Sequence, residues 1–257
     1  MDISSVLSNI GKTRLGSQHI PFFEQYKTAR AIDWTPPMNN AAARGQSTDR
    51  LVGALAIATS IAGFALLAAH PGDQARNFAE VVQEEVRNQQ QNLIVHDGYV
   101  IVLSVQILCF GFLSETLTGA RLASRAGITF FAIGAAWMCV SLLFDGLIGP
   151  AVAARYAGQP ETVRPLFSLI GAIVRFAMPL GLGFQATGVF CWGAAMLALR
   201  LRIAGAAASL LGAGAIAAVI ASAIGGVAVA LMAAFAAIVL WPMIAGLVLV
   251  RANPATA

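Results

Sequence analysis

The residues of this chain best spaced for chemistry lie along one apolar segment. At about 100° per residue, Asp97, Ser104, Gly111, Glu115 and Thr118 fall within about 60° of one another on a helix. Ionisable groups at membrane depth are costly, so such a stripe could line a water-filled path or hold a polar substrate. Equally, it could make hydrogen bonds to neighbouring helices rich in small residues. Gln106 lies on the opposite face and needs a different neighbour. A second constellation is Asp145 and Arg175, expected near the same boundary of two consecutive helices, where an Arg beside an Asp could form an ion pair. A third is His70, His96 and Asp97, since imidazole and carboxylate are donors that suit Zn or Cu. These histidines lack the close spacing of helical metal motifs, and no metal or other cofactor is expected. Cys109, Cys139 and Cys191 sit inside apolar runs with no adjacent base or cation, so they read as small hydrophobes. No nucleophile elbow, phosphate-binding loop or zinc-protease motif occurs, and no catalytic residue is expected.

The elements that must position these groups follow from composition. Of 257 residues, 58% are hydrophobic and 11% charged, and the mean hydropathy is +0.75. Ordinary soluble domains are about 25% charged, and much of any folded surface must face water. A soluble α/β enzyme, a disulfide scaffold, a disordered chain and a collagen are all excluded. The expected fold is all-α: a polytopic membrane helical bundle of about six transmembrane helices plus one external amphipathic helix. A tail over residues 1–50 precedes the domain at 51–251, and 252–257 form a second tail.

The first span is expected near Leu51–Ala69, the second near Tyr99–Leu117, and the third near Gly127–Gly149, stopped by Pro150. The fourth lies between Ile173 and Leu199, with Arg175 and Pro179 marking a bend. Between Arg202 and Arg251 the chain carries no charge for 48 residues. One helix of that length would be about 70 Å long, twice a bilayer, so it must fold back. Gly225-Gly226 is the natural turn, giving spans near Ile203–Ile224 and Val227–Val250. In the first of these, Gly205, Ser209, Ala213 and Ala217 are spaced for close helix packing, within the chain or between chains. The connection from His70 to Gly98 carries an apolar stripe, Ala75, Phe78, Ala79, Val82 and Val86, which predicts the external helix at about 74–92. Its Glu80, Glu84 and Glu85 favour packing on protein over anionic headgroups.

Eleven Lys and Arg fall on the side of the N-terminus and five on the other. That bias favours both termini on the cytoplasmic side of a cell membrane, and it accounts for the net charge of +4 without nucleic acid. The partners expected are membrane lipid and either a second copy or another membrane protein. Three functions compete. The low charge and small-residue faces best fit a non-enzymatic membrane protein that binds lipid or a protein partner. The stripe along the second span suits a small transporter or channel. His70, His96 and Asp97 would suit a membrane redox or metal-binding subunit.

Several short segments add a resemblance. Arg50-Leu51-Val52-Gly53-Ala54-Leu55 leads the first span. Gly181-Leu182-Gly183-Phe184 lies in the fourth, Ile203-Ala204-Gly205 follows a basic turn, and Trp241 and Gly246 lie in the last. Over roughly residues 50–250 this organisation resembles a bacterial multi-span family whose domain has no assigned function. The resemblance implies the topology and supplies no catalytic residues.

Overall fold

A computed structural model describes residues 38–71, 77–225 and 228–251, with no side-chain placement for 38–46 and 228. Most of the N-terminal tail, residues 74–76 of the expected external helix, and 252–257 lie outside the described residues. Among the described residues the protein is all helical, a polytopic bundle with six helices long and apolar enough to cross a membrane. In chain order the described α-helices are α1 (Met38–Ala69), the short external α2 (Phe78–Arg87), α3 (Gln89–Thr116), α4 (Arg121–Leu143), α5 (Gly149–Arg155), α6 (Pro160–Ala198), α7 (Arg202–Gly225) and α8 (Ala228–Arg251). A 3₁₀ turn, Thr118–Ala120, leads into α4, and a π turn, Phe144–Ile148, joins α4 to α5. The end of the bundle that carries α2 is called distal below, and the opposite end proximal.

The spans match expectation in number, and several ends differ. Helix α1 begins at Met38, ahead of the expected tail boundary at residue 50, since nothing between Met38 and Arg50 breaks a helix. Pro150 does not stop the third span. The π turn shifts the hydrogen-bond register, with the Gly149 N–H bonding to Phe144 O, and Pro150 sits in the first turn of α5, where its missing N–H costs little. Helix α6 runs unbroken for 39 residues through Pro165 and Pro179. At about 1.5 Å per residue it exceeds a bilayer core by about 28 Å, so its first turns project at the distal end.

Those projecting turns carry the external helix. Asn77 caps α2, accepting from the Glu80 N–H at 3.0 Å and donating to Glu80 Oε1 at 2.8 Å. The Phe78–Val82–Val86 stripe then packs on protein, as its acidity suggested. Val82 is fully buried with Ala153 and Val163, and Phe78 meets Phe167 edge-on at 5.7 Å. The helix is shorter than expected, because Asn88 ends it and residues 89–92 already belong to α3.

The main core holds large aromatics between helices that approach through glycine. Trp192 and Trp241 stack with ring centroids 5.6 Å apart, and Phe110 and Phe131 close around them. A methyl group at Gly193 would meet the Ser209 backbone, and one at Gly212 the Phe190 backbone, so α6 and α7 touch main chain to main chain. The buried face of α7 is Gly205, Ala208, Gly212 and Ala215. Of the expected stripe, Gly205 and Ser209 pack within the chain, and Ala213 and Ala217 face outward. Four-residue steps advance about 400°, so each drifts about 40° off the contact line, and only a mixed three–four spacing stays on it. Outside, the bundle is apolar: Ile101 is 65% and Leu108 67% exposed on α3. Lipid is the solvent that accepts such a surface.

Candidate functional site

Helix α3 presents two faces, and the structure exchanges their expected roles. Asn92, Val95, His96, Tyr99, Leu103, Gln106, Phe110 and Leu113 face the bundle. Asp97, Ser104 and Glu115 lie on α3 and Thr118 in the 3₁₀ turn after it, and all four are exposed on the outside. Ser104 satisfies itself by donating to Val100 O at 2.8 Å. Nothing lies within 4 Å of a methyl group placed on Gly111. These residues therefore line no path within the chain. Ser104→Ala and Glu115→Gln are expected to change unfolding stability in detergent by no more than about 0.5 kcal/mol, the usual range for surface positions. A larger loss in either would mean that the stripe is covered.

The cavity beside α3 lies on its other face. It measures about 20 Å³ and is bounded by Tyr99, Gln106 and Gln185 among apolar side chains. That is room for about one water molecule. Gln106, left without a neighbour by the sequence, thus meets Gln185 across this space, and Gln185 Nε2 has no protein partner. The Tyr99 hydroxyl turns away from it and donates to Gly63 O at 2.6 Å.

A larger pocket, about 200 Å³, opens at the distal end between α2, the end of α1, the start of α3 and the π turn. His70, Glu84, Glu85, Asn92, His96 and Asp145 supply its polar lining. Here the structure brings together residues the sequence kept apart. His96 is buried at 3% exposure, and its Nε2 lies 3.2 Å from Asp145 Oδ2. Asp145 sits in the π turn, which carries its carboxylate toward α3. Gly146, next to it, lies against the His96 ring so closely that any Cβ would overlap the ring. His70 meets His96 edge-on with centroids 5.3 Å apart.

Two expectations are corrected by this arrangement. Asp145 pairs with His96, and Arg175 does not reach it; the Arg175 side chain is exposed and its Nε donates to Gly171 O at 3.1 Å. The carboxylate that joins the two histidines is Asp145 and not Asp97, which lies about 100° around the helix from His96 and points out of the bundle. One ring nitrogen of His70, one of His96 and an oxygen of Asp145 all lie within 4.8 Å of one another.

The ring orientations are held by the backbone. His96 Nδ1 donates to Asn92 O at 2.7 Å, and His70 Nδ1 donates to Pro71 O at 2.9 Å. A carbonyl oxygen only accepts, so both Nδ1 atoms carry hydrogen and Nε2 is the nitrogen left for a further partner. Asn92 donates from Nδ2 to Glu85 Oε2 at 3.0 Å, tying the pocket wall to α2. Its Oδ1 has no partner although the residue is only 6% exposed. Sequence reading missed Asn92, Glu85 and Gly146. The available signal was the pairing of Asp145-Gly146 with Gly149-Pro150, a carboxylate and a small residue just ahead of a proline where a helix must change register.

No protein-family model, curated protein or solved structure matches this chain.

Proposed function

We propose that this membrane protein binds a cation at the distal face of its bundle, without an enzymatic step. The observation that supports this is the pocket of about 200 Å³, whose described lining includes the carboxylates of Glu84, Glu85 and Asp145, with Glu84 also paired to Arg87 at 3.4 Å. Carboxylates gathered in a concave mouth with low-dielectric walls focus their field and concentrate cations there. The Lys and Arg bias makes the distal face the external one, with both termini cytoplasmic in a bacterial inner membrane. Conduction along α3 is the weaker reading, because its polar stripe faces outward and the cavity behind it holds about one water. Lipid covers the exposed apolar sides, and the resemblance to a multi-span family without assigned function is consistent with an accessory role.

Equilibrium dialysis of the full chain in lipid nanodiscs against Zn²⁺, Ca²⁺ and Mg²⁺ tests the reading. One saturable site for at least one of these ions is expected, weakened at least about tenfold by Asp145→Asn, which removes the charge nearest His96. If none of the three ions binds saturably, the proposal is wrong.

A further inference from the structure

We infer that the occupant of the distal pocket is a borderline transition-metal dication, of the Zn²⁺ or Co²⁺ class, held by His70, His96 and Asp145. This rests on the cation-binding reading above and narrows it. Three features of the site carry the inference.

The first is the donor geometry. Both imidazoles have Nδ1–H tied to a backbone carbonyl, at 2.7 Å for His96 and 2.9 Å for His70. Metal-ligating histidines almost always carry such a bond on the far nitrogen, which sets the ring's tautomer and direction. That leaves His96 Nε2 facing Asp145 Oδ2, 3.2 Å away. A proton on Nε2 makes this contact an imidazole–carboxylate hydrogen bond, and a metal dication would take that proton's place between the same two atoms. Tetrahedral ligands at about 2.0–2.1 Å from zinc are separated by about 3.3 Å, which is the spacing this pair already has. His70, exposed at the end of α1, already offers a ring nitrogen within 4.8 Å of both other donors.

The second is an unused oxygen. Asn92 is 94% buried at the pocket wall, and its Oδ1 has no hydrogen-bond partner. A buried amide oxygen without a partner is expensive. An ion or its bound water in the pocket supplies that partner.

The third is the donor chemistry. Two imidazoles and one carboxylate suit zinc and its neighbours, whereas Ca²⁺ takes six to eight oxygen ligands and Mg²⁺ an octahedron of oxygens. Three protein ligands leave a coordination position open toward the pocket, where water completes the shell.

The test uses the purified full chain in nanodiscs titrated with Co²⁺ and then Zn²⁺. One equivalent of Co²⁺ should bind with the strong visible absorption of a four-coordinate site, and Zn²⁺ should displace it. Ca²⁺ and Mg²⁺ in excess should not compete. His96→Ala and His70→Ala should each weaken Zn²⁺ binding about 10–100-fold or more. His70 is exposed, so its variant tests the site even if His96→Ala folds poorly. Binding of Ca²⁺ or Mg²⁺ that matches Zn²⁺ and ignores both histidine variants would overturn the inference while leaving a cation-binding pocket. Absence of saturable binding by any of the four ions would overturn both, and would leave His96 and Asp145 as a proton-mediated pair.

Discussion

Trp192→Ala is expected to destabilise the bundle by about 3–5 kcal/mol, the range for truncating a fully buried large aromatic. Trp192 is completely buried, stacks on Trp241 at 5.6 Å, and packs on Phe110 and Phe131. Its Nε1 donates to Ser114 Oγ at 2.9 Å, and Ser114 in turn exchanges bonds with Ser124 across α3 and α4. Truncation therefore opens a cavity in contact with three helices and also removes a hydrogen bond at their crossing. Trp192→Phe keeps most of the volume and should recover well over half of the loss. Unfolding in mixed detergent micelles, followed by tryptophan fluorescence, measures both. An alanine variant as stable as wild type would mean that the stack does not form.

Gly146→Ala should disable the distal pocket from behind. The added methyl would occupy the space of His96 Cβ, Cγ and Nδ1. One of two things must give. Either the ring rotates and loses its bonds to Asn92 O and Asp145, or the π turn shifts and carries Asp145 away. Overpacking of this kind costs about 1–3 kcal/mol. Displacing an oriented ligand costs about 10–100-fold in metal affinity. A double variant separates the two effects. With His96→Gly also present, Cβ, Cγ and Nδ1 are all gone and the methyl has room, so the overpacking should be relieved, less about 1 kcal/mol for a helix glycine, while Zn²⁺ binding stays lost. Gly146→Ala with unchanged stability and affinity would show that the π turn does not press on His96.

Much of the architecture was legible in the sequence because lipid imposes few solutions. An apolar run too long for one crossing must turn, and Gly225 ends α7 where Gly225-Gly226 had been read as the turn. The external helix was legible because its apolar stripe is a difference between protein and water, and Val82 lies buried on that stripe. Inside the membrane the same reasoning lost its grip. The hydrocarbon outside and the side chains inside are equally apolar, so periodicity could show that Asp97, Ser104 and Glu115 share a face but not that the face points outward. The pairing of Trp192 with Trp241 had no local signal at all, since the two residues belong to helices that meet only in three dimensions.

The pocket shows the same division. Sequence alone determined that histidines and carboxylates collect at one end of the spans, because charged and polar groups are excluded from the hydrocarbon and gather at its boundary. Tertiary structure decided which of them meet. A π turn at Phe144–Ile148 brings Asp145 to His96, 49 positions away in sequence, and the bare Cα of Gly146 lets the imidazole close against it. Partition between oil and water acts on each residue singly and can be read one residue at a time. Contact between side chains depends on how helices rotate and approach, and that is settled only by packing them together.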